Sequence, residues 1–309
     1  MSTKFAGDHI VETDDLRHRV ADGIKTRDSL FWNLILPDEQ IAVQLYIWTD
    51  GRGVSGRQVA VYAPDREKNI VLSASDIDLG PDSDLDEWQC AGLCVRQPES
   101  LRTAELSFEG EGITLDYRFN AAHRPFSYHE NPSACPPWMA SNRYEQSGRA
   151  SGTLTVGNRA ITFGDVWAHR DHSWGRRNWN AVHHWKWVVA GVPSGTTLNA
   201  MFHIAFGEPG INGYVVRDGE PVAIVDGRCH AAYDNDMSQS RLEADLTDAR
   251  GVVTHLEMER FAIFKLPFGS DTLLSEAACR VTIDGEPGAG QFETLWPHGY
   301  VQRLLEAER

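Results

Sequence analysis

Positive charge is in short supply in this chain. Against 44 aspartates and glutamates it sets 29 lysines and arginines, for a net charge of −15 and a pI near 5.2. A surface with that surplus repels nucleic acid and anionic membranes, and no basic arm or basic helix reverses it. Long apolar runs are missing too, so no segment has the length of a membrane span. Met1 to Asp15 is polar and acidic and has no apolar stretch of the secretory-signal kind. The expectation is a cytoplasmic protein with no stable membrane insertion. Cysteines number five, an odd count with no CxxC pair, which fits buried free thiols in a reducing compartment. No GxGxxG or GxxxxGK[ST] phosphate loop occurs, and no Gly-x-Ser-x-Gly elbow. Nucleotide, nicotinamide and serine-hydrolase chemistry therefore have no support. Helical periodicity is rare, with Asp14–Lys25 and Val301–Glu308 the best candidates.

What the chain has in abundance is alternation. Ile41, Val43, Leu45 and Ile47 alternate with Ala42, Gln44, Tyr46 and Trp48, and Ile113, Leu115, Tyr117 and Phe119 alternate with polar neighbours. That period of two marks half-buried antiparallel strands. Turn dipeptides separate them, among them Gly157-Asn158, Asp218-Gly219, Asp226-Gly227 and Asp284-Gly285. Many hairpin-spaced strands give an all-β fold with less than about 20% helix. One small barrel takes about 130–180 residues, so the 309 residues hold two. The boundary is placed at 178/179, giving barrels over 1–178 and 179–309. Ala121 to Ser141, with four prolines but also Phe126, Tyr128 and Trp138, reads as a long ordered loop across a barrel mouth.

Chemistry concentrates in Gly164 to Trp179. Those sixteen residues hold three tryptophans, two histidines, two aspartates and three arginines, and His183-His184-Trp185-Lys186-Trp187 follows in the same vein. Rings mixed with ionisable groups suit the lining of a pocket. If 163–174 is extended, Trp167, His169, Asp171 and Ser173 share one face, and Arg170, His172 and Trp174 share the other. The sequence leaves open which face lines a cavity. A neutral carboxylic acid among aromatic rings can protonate an alkene and shelter the cation that forms. A histidine or arginine with the same tryptophans could instead polarise a carbonyl for a cycloaddition. Each residue also has a plainer use. Asp171 can hold an arginine or a turn, His172 can be a hydrogen-bonded structural imidazole, and Trp167, Trp174, Trp179, Trp185 and Trp187 can be packing. Tyr144, Glu145, Trp32 and Asn33 read as structural. Zinc is disfavoured, because His-x-x-His on a strand sends its rings to opposite faces.

The segment Arg170-Asp171-His172-Ser173-Trp174-Gly175-Arg176 resembles the RDHSWG signature of the tandem lipocalin-like proteins. That group includes carotenoid 1,2-hydratase, kievitone hydratase, the AttH-type proteins and the fungal Diels–Alderases of decalin biosynthesis. Asp28 to Asn33, Asn142 to Gly148, Trp185-Lys186-Trp187 and Gly288 to Glu293 resemble further segments of that family. The resemblance implies two lipocalin-like antiparallel barrels in tandem and a hydrophobic small-molecule partner such as a terpenoid, steroid or polyketide. It implies hydration, dehydration, isomerisation or cyclisation at a carbon–carbon double bond, and the missing phosphate loops and the poor ligand geometry of the histidines add the expectation of no metal or other cofactor. The alternative is a non-catalytic carrier of the same ligands, and a homodimer is left open. Asp171, His172 and His169 are the candidate catalytic residues. Trp167, Arg170, Trp174, His184, Trp185 and Glu293 are the candidates for binding substrate.

Overall fold

A computed structural model describes residues 9–19, 26–178, 181–268 and 271–307. It is 67% strand and 7% helix, in line with the all-β expectation. The first sheet opens with β1 (Arg27–Leu36), β2 (Ile41–Thr49), β3 (Val54–Tyr62) and β4 (Ile70–Asp78). It continues with β5 (Glu87–Cys90), β6 (Leu93–Glu99), β7 (Thr103–Gly110) and β8 (Ile113–Ala121). The short β9 (Phe126–Ser127) and the long β10 (Asn142–Val156) and β11 (Arg159–Gly175) complete it. Their order is β4-β3-β2-β1-β11-β10-β8-β7-β6-β5, with β9 on β10. The sheet curls until it nearly closes. Arg57 of β3 spans the gap by donating from Nε and Nη2 to the carbonyl of Ala91, just past β5.

The second sheet is a closed antiparallel barrel of eight strands. They are β12 (Val182–Gly191), β13 (Thr197–Ala205), β14 (Glu208–Arg217) and β15 (Glu220–Tyr233), then β16 (Gln239–Asp248), β17 (Val253–Phe268), β18 (Thr272–Ile283) and β19 (Glu286–Pro297). A helix, α1 (His298–Ala307), follows where the tail periodicity placed one. The other expected helix is absent from the described part of its range. Residues 14–19 contribute only the end of a 3₁₀ turn, Glu12–Asp15, and 20–25 lie outside the described residues. Its acids and basic residues serve instead as partners for the first barrel: Asp15 bonds Tyr144, Leu101 and Arg170, and Arg17 donates to the carbonyls of Asp50, Gly51, Pro81 and Ser83.

Strand alternation decides where the cores sit. On β1, Leu30, Trp32, Leu34 and Leu36 enter the interior of the first barrel, filled from nearly every strand of that sheet. Val188, Leu198, Leu246, Val281 and Phe292 do the same in the second. A third apolar cluster lies between the barrels. Phe31 and Ile35 of β1 and Trp167 of β11 meet Trp185, Trp187, Val189 and Phe264 from the second barrel there. The loop 121–141 belongs to this seam and does not span the mouth of one barrel. Phe126, Tyr128, Trp138 and Met139 are buried in it, and Asn131 donates to the carbonyls of Gly213 and Ile224. The loop is held because these apolar rings and its side-chain amide have nowhere else to be satisfied.

The five cysteines are free, with Cys90, Cys135 and Cys279 buried. No described helix is long and apolar enough to cross a membrane.

Candidate active site

The pairing of β10 with β11 runs without a shift from Asn142/Trp174 to Ala150/Val166. Trp167, His169, Asp171 and Ser173 therefore face the seam, together with Arg143, Glu145 and Ser147 of β10, which lie directly opposite Ser173, Asp171 and His169. Between the barrels this face opens on a cavity of about 300 Å³. Its walls are Phe31, Met139, Trp185, Trp187 and Met201; its polar groups include Asp171, Arg143, Glu276 and Glu293. Ser73, Ser75 and Pro267 are exposed at its rim, beside the half-buried Trp48, Arg27 and Arg177.

Asp171 is 6% exposed and its Oδ2 accepts from Arg143 Nη2 at 2.9 Å. Burial raises its pKa, the Arg143 charge pulls it back, and the neighbouring Glu145 raises it again, leaving it at about 7. The same guanidinium donates through Nε to Glu145 Oε1 at 2.7 Å. Burial would push Glu145 up as well, but Arg143 and the hydrogen bond from His169 hold it below the ordinary glutamate value. His169 Nε2 lies 2.7 Å from Glu145 Oε2, and Trp187 Nε1 donates to Oε1 at 3.0 Å. Burial keeps His169 neutral, its pKa lowered despite Glu145. Its Nδ1, 3.1 Å from Ser147 Oγ, is then the acceptor. His169 therefore sits one layer behind the cavity and positions Glu145, which with Arg143 positions Asp171.

From the second barrel, Trp185 Nε1 donates to Glu293 Oε1. Glu276 lies directly opposite Glu293 across β18 and β19, and Gln291 Nε2 donates to its Oε2 at 2.8 Å. Gln291 also accepts from Asn33 Nδ2 of the first barrel at 3.0 Å. The two barrels thus share one polar network under the cavity floor.

Of the residues singled out in the sequence, Asp171, Ser173, Trp185, Trp187 and Glu293 come together on the cavity wall. The others lie elsewhere. Arg170, His172 and Trp174 point to the opposite face of β11, where the N-terminal segment packs. Arg170 is fully buried and donates to Gln146, Gln97 and Asp15. His172 is bonded to Asp28 at 2.5 Å, and Trp174 stacks on His18 at 4.0 Å. Trp167 lies in the seam against Gly191, away from the cavity lining. His184 stacks on Trp296, with Nδ1 2.7 Å from the Leu295 carbonyl, and borders a separate groove. Trp179 lies outside the described residues. Arg143, Glu145, Glu276 and Tyr46 are site residues the sequence reading did not single out as functional. The signal for Glu276 was a lone acid in the apolar run Leu273 to Cys279; for Arg143 and Glu145 it was their shared strand face.

One group could hold a metal ion among the described residues: His18, Asp28 and His172 have ligand atoms within 4.8 Å of one another. Those atoms already satisfy one another. Asp28 accepts from both imidazoles, and the other nitrogen of His18 is 3.3 Å from Asp14. Burial opposes charge on His18, but hydrogen bonds to Asp14 and Asp28 win and raise its pKa to about 9. Asp28 is held far below the carboxylate range by His172 and His18, against its burial. The arrangement is that of an ionic clasp.

No curated protein matches the chain in sequence. Among solved structures, an AttH-like protein of Nitrosomonas europaea superposes with a TM-score of 0.66 at 13% identity, over 90% of this chain and 94% of its own. CghA with Sch210972 gives 0.63 at 15% identity, over 89% of each chain. Kievitone hydratase from Nectria haematococca gives 0.56 at 11%, again over 89% of each. The tandem-barrel fold anticipated from the RDHSWG segment is thus shared with these proteins along nearly their whole length, and at such identities the likeness is one of fold. By sequence, residues 12–298 match the family described as a domain of unknown function, DUF7064, and the chain belongs to that family.

Proposed function

We propose that this protein is an enzyme that protonates a carbon–carbon double bond of a compact hydrophobic molecule, with a terpenoid, steroid or polyketide skeleton, using its own side chains and no cofactor. The observation that carries the reading is Asp171: a buried carboxyl with a pKa of about 7, on the wall of a cavity that sets aromatic and methionine side chains beside a few polar groups, Arg143, Glu276 and Glu293 among them. A carboxylic acid kept protonated by an apolar site is the donor that alkene chemistry needs. A hydratase and CghA, solved with a small molecule, share the fold. The volume, at the low end for small-molecule sites, favours a folded or ring-shaped substrate over an extended polyene.

In this reading Arg143 occupies Oδ2 of Asp171, so the proton resides on Oδ1. It passes to one alkene carbon, and the π pair becomes the new C–H bond. The faces of Trp185 and Trp187 shelter the carbon left electron-poor, and water, an internal hydroxyl or loss of a neighbouring proton completes the reaction. Because the donor must be protonated, kcat falls as pH rises through about 7.

The test is Asp171→Asn assayed against a panel of monocyclic and bicyclic terpenoid alkenes and tertiary alcohols. Turnover of the active members should drop by about 10²–10⁴, with binding, read by tryptophan quenching, changed by no more than a few-fold. Wild-type turnover by the folded variant would remove Asp171 as the acid. Binding across the panel with no turnover by the wild type would favour a carrier.

A further inference from the structure

Glu276 and Glu293 are not explained by a single acid at Asp171. They stand directly opposite each other on β18 and β19, both line the cavity, and Glu276 is 1% exposed. Like charges facing each other across a strand pair repel, and burial strengthens the repulsion. A cationic partner would be the usual remedy. What surrounds the pair is instead mostly neutral. Gln291 of β19 and Trp185 of β12 donate to it, and Tyr62 of β3 and Gln44 of β2 lie beside Glu276. Charged groups that act on the pair include Arg143, Glu145 and Asp171, from β10 and β11 of the other barrel, and Arg27, Arg57 and Arg177 line the same cavity. Arg143 is already bonded to Glu145 and Asp171. Two carboxyl groups in contact, with one hydrogen-bonded to the other, hold a proton between them. Burial and the Glu293 charge raise Glu276 well above the ordinary glutamate value, and burial raises Glu293 despite the bonds from Glu276 and Trp185.

We propose that Glu276 and Glu293 share one proton and form a second proton-exchange station on the cavity wall, which removes a proton from the substrate while Asp171 delivers one. The proposal rests on the cavity being the reaction site. It narrows the reaction class to proton transposition, in which the double bond of a compact alkene moves along its skeleton. Asp171 gives its proton to one carbon, and the π pair forms that C–H bond. The singly charged Glu276–Glu293 pair takes a proton from the carbon on the far side of the electron-poor centre. The pair of electrons from that C–H bond closes the new double bond. Asp171 ends ionised, the glutamate pair ends doubly protonated, and both return to their starting states by exchange with water at the mouth. Nothing is oxidised or reduced. Delivery and removal come from different barrels, which suits a substrate held between them.

The proton itself can be observed without any substrate. Infrared spectra of the Asp171→Asn protein at pH 8, in H₂O and D₂O, should show an exchangeable protonated-carboxyl band that Glu276→Gln abolishes. Melting temperatures give a second readout. A glutamate whose folded pKa is raised costs stability above its unfolded pKa, more so until the folded value is passed. The Glu276→Gln protein should therefore gain several degrees over wild type as pH rises from about 4.5 to 8. No such band, or a band that survives Glu276→Gln, overturns the shared proton. The functional half is read by deuterium wash-in from D₂O into the terpenoid alkenes of the panel. Glu276→Gln and Glu293→Gln should each slow it by about 10²–10⁴. Wash-in at the wild-type rate in both variants, where Asp171→Asn has lost it, overturns this proposal and leaves Asp171 as the acid. Absence of turnover or wash-in across the panel for the wild type counts against the reaction site itself, and the infrared result still decides whether the pair holds a proton.

Discussion

Replacing Arg143 by glutamine should be among the most damaging single changes in this protein, and its damage should depend on pH. The guanidinium is the shared partner of two buried carboxylates, with 2.7 Å to Glu145 and 2.9 Å to Asp171. Removing one member of a buried ionic group leaves the others uncompensated, at a cost of about 3–5 kcal/mol. For a chain of this size a melting temperature moves by roughly 2 °C per kcal/mol, so the expected loss at pH 8 is about 6–10 °C. The sign follows from linkage. Without Arg143 the Glu145 pKa rises above its unfolded value near 4, and that of Asp171, already above it, rises further, so the penalty is small at and below that pH and grows above it. At pH 5 the deficit should shrink to a fraction of its size at pH 8. Thermal melts by circular dichroism at the two pH values measure this directly. A variant melting with the wild type at pH 8 would refute the reasoning, as would one with equal deficits at both pH values. In an activity assay the same substitution should move the alkaline limb upward, since Asp171 then keeps its proton to higher pH.

His18→Gln tests the ionic clasp. A folded pKa raised from 6.5 to about 9 gives stability that is full below about 6.5 and lost as pH rises through about 9. Wild type should therefore exceed the variant by at most about 3 kcal/mol near pH 6 and lose that advantage by pH 10, in urea titrations; a constant difference would count against it. Gly191→Ala places a methyl 2.0 Å from the buried Trp167 ring. The expected cost is about 1–3 kcal/mol of overpacking at the seam, and an unchanged melting temperature would show that the ring has room to move. EDTA should leave both melting temperature and turnover unchanged, because Asp28 already accepts from His18 and His172. Loss restored by zinc would contradict this.

How much of this could be read from the sequence differs by feature. Barrel strands were plain because alternation over Ile41 to Thr49 or Ile113 to Phe119 is a local property, fixed by side chains that must choose a face. The two faces of 163–174 followed by the same geometry. The cavity was not legible, since it depends on which faces of two separate barrels meet. Sequence crowding pointed to Arg170, His172 and Trp174 as strongly as to Asp171, yet one residue of register puts the former against Asp15 and Asp28. Glu276 lies more than a hundred residues from Asp171 and shares a cavity with it only through the seam. The helix reading failed over 14–19, the described part of its range, because a polar, charged segment can find better partners in tertiary contacts than in its own turns.

Both barrel interiors are filled with buried apolar side chains, and the aromatic chamber of the seam belongs to neither of them. A filled core resists change, since each side chain there is wedged by its neighbours. A joint between two finished bodies is more forgiving. Sliding or tilting one barrel on the other reshapes the chamber while every strand pairing survives, and residues such as Gly191 and Trp167, which do not line the chamber, set the angle of the joint. Descendants of such a protein could come to accept a new molecule by changing how the halves are mounted before altering a single wall residue.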